Sequence, residues 1–216
     1  MSFLTCTLFA GNRDWAGLNR YAEANVGVSE RPDVVFMGNS ITDHWIGFHP
    51  DFFTDNNYLD RGIGGQTSSQ MVLRFRQDVL NLRPDAVVIN AGTNDCAENS
   101  GPFDPDFTFG NIISMVELAQ SHGIKVILAS ILPAAGFGWN TNIKDAPARI
   151  ADLNERIYKF ALENDIPYVD YYSSMVEGQD RALNPLYTDD GVHPTADGYT
   201  VMEAIVKPII DKTLNK

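Results

Sequence analysis

Two cysteines and four histidines in 216 residues leave little material for a disulfide framework or a metal site. Cys6 and Cys96 stand in no ligand spacing, so both read as small apolar residues. Positive charge is also scarce: sixteen Lys and Arg face twenty-eight Asp and Glu, a net charge of −12. That balance argues against nucleic acid or anionic membrane as a partner, since both need a basic surface. No apolar run approaches the roughly 18 residues of a membrane span. The opening Met1–Gly11 is mildly apolar but has no positive n-region, so as written the chain reads as cytoplasmic. A removed or truncated leader would make it periplasmic or secreted. Repeats, low-complexity tracts and Pro/Ser-rich linkers are missing too, so residues 1–216 read as one domain. Residues 1–28 form an N-terminal extension in which a helix is expected around Trp15–Ala24. Nothing in the composition speaks to oligomeric state.

What is present is an ordinary globular composition, 44% hydrophobic and 20% charged, arranged as alternating apolar runs and amphipathic stretches. Strands are expected at Val34–Met37, Tyr58–Leu59, Ala86–Ile89, Lys125–Ile131 and Tyr168–Val169. Several are apolar on successive residues, the pattern of parallel strands covered on both faces. Helical spacing recurs through Phe109, Ile112, Val116 and Ala119, through Ile150, Leu153, Ile157 and Ala161, and after Pro194 through Tyr199, Met202, Ile205 and Ile209. Strands alternating with helices predict right-handed βαβ units and a mostly parallel sheet, with functional groups at the carboxyl ends of the strands.

Polar residues that carry chemistry fall at those ends. Ser40 follows the first strand in Gly38-Asn39-Ser40-Ile41-Thr42, where its N-terminal place on a helix would polarise it. Most serines in such a place are merely helix caps. The stretch is not a G-x-S-x-G elbow, because Thr42 replaces the second glycine. About 150 residues later, Asp190-Gly191-Val192-His193-Pro194 offers a carboxylate and an imidazole from one turn. Together these are a nucleophile, a base and an orienting acid. Asp189 stands beside Asp190 and is not separated from it by spacing. Asp190 as a simple cap of the last helix is the plainer alternative. His44 and His49 lie in or near the first helix of the core, and His122 reads as a helix C-cap. Gly62-Ile63-Gly64-Gly65 matches neither a dinucleotide fingerprint nor a Walker loop, and Asn94 brings a side-chain amide to the end of the third strand.

Gly38-Asn39-Ser40-Ile41-Thr42, Gly64-Gly65-Gln66-Thr67, Gly92-Thr93-Asn94-Asp95 and Asp190-Gly191-Val192-His193-Pro194 resemble, in order and over nearly the whole chain, the four blocks of the SGNH or GDSL-like hydrolases. The resemblance implies a flavodoxin-like three-layer α/β/α sandwich with a five-stranded parallel sheet in the order 2-1-3-4-5. It implies Ser40 as nucleophile, His193 as general base and Asp190 as its orienter. The N–H groups of Ser40 and Gly65 and the Asn94 amide would form the oxyanion hole, with no metal and no cofactor. One position departs from the family: Asn39 stands where an aspartate is usual, losing a charge and gaining a donor.

The implied reaction is hydrolysis of a short acyl ester, acetyl first, on a carbohydrate or other polar alcohol. Trp45, Phe137, Trp139 and Tyr187 would supply an aromatic wall, with Asn39 and Gly64 also beside the substrate. A small-molecule or glycan ester is the expected partner. A thioesterase or lysophospholipase would use the same residues. A glycan-binding relative with weakened catalysis is the reading Asn39 suggests, and a metal phosphoesterase on Asp95, Asp190 and His193 lacks a ligand spacing.

Overall fold

The computed structural model describes residues 14–216. Cys6 and the Met1–Gly11 segment lie outside the described residues. Five parallel strands, β1 (Val34–Gly38), β2 (Tyr58–Gly62), β3 (Ala86–Ile89), β4 (Lys125–Ala129) and β5 (Tyr168–Val169), form a sheet in the order β2-β1-β3-β4-β5. The order is the one expected, and the register runs Val34 to Tyr58 on one side of β1 and Val34 to Ala86 on the other. Expected Lys125–Ile131 stops at Ala129, because the side chain of Asn154 takes over from the sheet. Asn154 Oδ1 accepts from the Ile131 N–H at 2.8 Å and its amide donates to the Ile131 carbonyl at 3.0 Å.

Alternate strand residues feed two cores, which is why β1 is apolar throughout. Val35, Met37, Val87, Ile89, Val126 and Leu128 pack under α4 (Ser68–Asp78), α6 (Pro105–Ser121) and α7 (Ala146–Glu163). Val34, Phe36, Ala86, Val88, Ile127 and Ala129 face α2 (Ser40–Phe48), α3 (Pro50–Thr54), α8 (Tyr171–Met175) and α9 (Ala196–Leu214). A short hairpin, Val176–Glu177 with Ala182–Leu183, precedes the turn that leads into α9. The result is the three-layer α/β/α sandwich.

The helix expected at Trp15–Ala24 is shorter and later, as α1 (Ala22–Val26). Asp14 accepts from the Leu18 and Asn19 N–H groups and Gly17 takes φ +69°, so side-chain hydrogen bonds and a left-handed residue hold a turn instead. This segment packs on the site-bearing loops: Gln66 donates to the Ala16 carbonyl at 2.7 Å, and the Tyr21 hydroxyl donates to the Gly62 carbonyl.

The tips of β1 and β2 are where the fold is tightest. A Cβ on Gly38 would lie 1.9 Å from Thr42 Oγ1, and one on Gly62 would lie 2.0 Å from the Asp43 nitrogen. Two glycines therefore let the first turn of α2 rest directly on the two strand ends. Beneath them lies Arg74 of α4, fully buried. Its guanidinium donates to the Gly38 and Arg61 carbonyls at 2.8 Å each, to Gln66 Oε1 at 2.5 Å and to Asp78 at 3.1 Å. Replacing it would remove the cation that pairs with the buried Asp78 carboxylate and take a donor from each of three other acceptors. Arg74→Leu is expected to cost about 3–5 kcal/mol, seen as a fall in Tm of roughly 6–20 °C; an unchanged melting curve would contradict this role.

Candidate functional site

Ser40 is the first residue of α2, and the cap before it is Asn39. Asn39 Oδ1 accepts from the Ile41 N–H at 3.0 Å, satisfying one of the helix's orphan donors. Asparagine thus does the capping work of an aspartate, while its buried Nδ2 has no hydrogen-bond partner among the described residues. The cost of that unpaired amide falls on stability, since Asn39 is fully buried and separated from solvent.

His193 Nε2 lies 2.9 Å from Ser40 Oγ, and Nδ1 lies 2.6 Å from Asp190 Oδ2. Asp190 Oδ1 also accepts from the Val192 and His193 backbone N–H groups at 2.9 and 2.8 Å. Partial burial pushes the Asp190 carboxyl up, but the backbone and ring N–H donors of His193 and the Val192 N–H outweigh it and hold the group at about 2. An ionised, acceptor-only Asp190 requires the ring proton on Nδ1. Nε2 is then free to accept the Ser40 hydroxyl proton. Asp189 makes no hydrogen bond to the ring, so the neighbouring-residue ambiguity falls to Asp190. Thr188 stiffens the turn, accepting from the Gly191 N–H at 3.0 Å and donating to the His193 carbonyl at 2.8 Å.

Gly65 and Asn94 face the same opening. Gly65, at φ +77°, lies in the loop between β2 and α4, and its N–H bonds to no described residue. Asn94 sits in α5 (Thr93–Cys96), just past β3. Its Nδ2 gives one hydrogen to the Gln66 carbonyl at 3.0 Å and keeps a second. Ser40, Gly65, Asn94, Asn99, Trp139 and His193 line an open cavity of about 230 Å³. A larger cleft of about 430 Å³ near Arg31 and Arg83 has no histidine in its lining. The arrangement can move a proton from a serine hydroxyl to an imidazole and offer N–H groups to a neighbouring anion.

The expected aromatic wall is only partly assembled. Trp139 is about half exposed (48%), 6.1 Å from the His193 ring between centroids. Phe137 is buried behind it, 5.4 Å away, so it supports Trp139 from the core. Trp45 is a correction: it is buried in the second core, stacked on Phe52 and Tyr199, with Nε1 bonded to Glu203 at 2.9 Å. Tyr187 is half-buried against the same core, outside the cavity lining. Gly64 is exposed and donates to Asp43 at 3.0 Å, beside Ser40 without lining the cavity. Asp95 faces Ser68 and Thr108, not His193. Burial pushes its carboxyl up against the pull of the Ser68 donors. Among the described residues no three His, Cys, Asp or Glu side chains converge as metal ligands, and no helix is long and apolar enough to cross a membrane.

Three residues at the site have no counterpart among the sequence candidates. His44, one turn along α2 from Ser40, places its ring 5.2 Å from that of His193; its i, i+4 relation to Ser40 was the available signal. Arg74 and Asn99 carried none, since each is read as a surface polar residue until the backbone is known.

The sequence model of the GDSL-like lipase/acylhydrolase family matches residues 36–201. A crystal structure from Bacteroides fragilis NCTC 9343, classed with the acylhydrolases, is 60% identical and covers 94% of this chain and 99% of its own, with a TM-score of 0.92. A GDSL-like lipase from Bacteroides thetaiotaomicron VPI-5482 is 57% identical, covering 91% and 98%, with a TM-score of 0.89. An acetylxylan esterase of Xylanibacter ruminicola is 25% identical over 153 residues, 62% of this chain and 30% of that protein.

The acid limb of the pH profile follows from the Asp190 contacts. A carboxyl held at about 2 stays ionised at every pH above about 4, so Asp190 should add no ionisation of its own to the kcat/KM profile there. The limiting slope of log kcat/KM against pH should therefore not exceed one down to about pH 4; a slope of two there would show Asp190 titrating in that range.

Proposed function

Because the chain belongs to the GDSL-like lipase/acylhydrolase family, an esterase family acting on small esters, we propose that it removes short acyl groups, acetyl first, from a carbohydrate through a Ser40 acyl-enzyme. The observation that carries the reading is the Ser40–His193–Asp190 hydrogen-bond relay opening into one cavity with Gly65 and Asn94. Ser40 Oγ attacks the ester carbonyl while His193 Nε2 takes its proton. The developing oxyanion is met by the Ser40 and Gly65 N–H groups and the spare Asn94 amide hydrogen. His193 returns the proton to the departing alcohol, then draws one from the water that cleaves the acyl-serine and passes it back to Ser40 Oγ as the acid leaves.

Cavity size and surface chemistry favour a small acyl group on a sugar. A space of about 230 Å³ is below the usual range for drug-sized ligands. The departing alcohol must lie next to His193, where the exposed Trp139 ring offers a flat apolar face of the kind that stacks on sugars. The likeness to an acetylxylan esterase supports the same choice.

The test is a series of p-nitrophenyl esters from acetyl to octanoyl, with acetylated xylo-oligosaccharides alongside. Acetyl should give the highest kcat/KM and the oligosaccharides should release acetate. An optimum at octanoyl would place the protein among long-chain acylhydrolases instead. Ser40→Ala should lower kcat by about 10⁴-fold or more with the melting curve retained, and turnover near that of the native protein would remove Ser40 from the reaction.

A further inference from the structure

The amides around the proposed oxyanion hole form a chain whose direction is forced at both ends. At one end the Trp139 Nε1–H donates to Asn99 Oδ1 at 2.8 Å. An indole nitrogen is a donor only, so the oxygen of Asn99 must face it. The amide nitrogen of Asn99 therefore turns the other way, donating to Asn94 Oδ1 at 2.9 Å and to the Gly65 carbonyl at 3.2 Å. At the far end Asn94 Nδ2 meets the Gln66 carbonyl, an acceptor only. Each amide is thus held in one of its two orientations, and the hydrogen left over at Asn94 Nδ2 faces the cavity.

From this geometry we infer that Asn99 is a positioning residue of the oxyanion hole and that Trp139, through its N–H, sets the polarity of the chain. The inference rests on the acyl-enzyme reading above. A rotated Asn94 would present its carbonyl oxygen where the transition state develops negative charge, turning an attractive contact into a repulsive one. Asn99 opposes that rotation because it offers Asn94 a donor and leaves no acceptor in reach. Its second hydrogen bond fastens the loop that carries Gly65, so one side chain steadies two of the three oxyanion groups.

The backbone explains how Asn99 reaches them. The short α5 ends in a Schellman turn: the Asn99 N–H returns to the Asn94 carbonyl at 3.0 Å and the Glu98 N–H to the Asp95 carbonyl at 2.9 Å. Glu98 occupies the left-handed position, φ 62°, that glycine usually takes, and Arg149 holds it by an ion pair of 2.8 Å. The wrap sets Asn99 directly over Asn94. The loop after β4 then docks on the same helix end twice, through Trp139 to Asn99 and through Asn140 Nδ2 to the Ala97 carbonyl at 2.9 Å.

Asn99→Ala, the isosteric Asn99→Asp and Trp139→Phe would be assayed with p-nitrophenyl acetate beside Ser40→Ala. Asn99→Asp keeps an acceptor for Trp139 but turns an oxygen toward Asn94; Trp139→Phe keeps a flat ring but loses the donor. For both Asn99 variants kcat should fall about tenfold or more, below the ~10²–10³ of losing an oxyanion donor outright, with KM within about twofold. The inhibition constant of methylboronic acid, a tetrahedral mimic, should rise by the same factor as kcat falls. Trp139→Phe should also lower kcat. A smaller fall in either Asn99 variant, an effect confined to KM, or an unchanged kcat in Trp139→Phe would overturn the inference while Ser40→Ala remained inactive. An active Ser40→Ala would sink the acyl-enzyme reading itself. If both Asn99 variants melt more than about 10 °C below the native protein, Asn99 is a structural residue and the inference fails.

Discussion

The close approach of α2 to the ends of β1 and β2 is the constraint on which the rest of the molecule depends. With no Cβ at Gly38 or Gly62, Thr42 and Asp43 occupy space that any other residue would fill. The first turn of α2 is thereby pressed against the sheet, and Ser40 stands over it at a fixed height. Arg74 holds the same two strand ends from below through the Gly38 and Arg61 carbonyls. A charge buried this deeply is tolerable only because four acceptors surround it, one of them the Asp78 carboxylate. Steric contact above and hydrogen bonds below make the strand tips a rigid floor for the site.

On that floor, contributions arrive from separate crossovers of the sheet. β1 delivers Ser40, the segment after β2 delivers Gly65, α5 after β3 delivers Asn94, the loop after β4 delivers Trp139, and the turn before α9 delivers Asp190 and His193. Groups so distant in sequence agree in orientation because each has a partner of one polarity. Asp190 accepts only, which fixes the imidazole tautomer; Trp139 donates only and the Gln66 carbonyl accepts only, which fixes the amides. The Ser40–His193–Asp190 relay and the chain of amides are ordered by the same rule.

The strands were legible in the sequence because burial on both faces writes an unbroken apolar run, and Ala86–Ile89 and Tyr168–Val169 match residue for residue, whereas the sheet order came only from the family resemblance. Ser40, Asn94, Asp190 and His193 stood out because each follows a strand or shares one turn with a chemical partner. Arg74 did not, since α4 inverts the usual pattern: Leu73 faces solvent while Arg74 points inward. Trp45 was misplaced for the opposite reason, because an aromatic one turn past Ser40 is near the site in sequence yet faces the core. The helix near Trp15 gave way to local hydrogen bonds from Asp14, and Asn99 was hidden because its turn uses Glu98 where a glycine would have announced it.

We propose Ser40, activated by His193, as the nucleophile. The most direct measurement is treatment of the native protein with a fluorophosphonate, followed by intact mass spectrometry and mapping of the modified peptide. One phosphonyl group should be gained, on Ser40. No adduct, or an adduct on any other residue with Ser40 unmodified, would contradict the account.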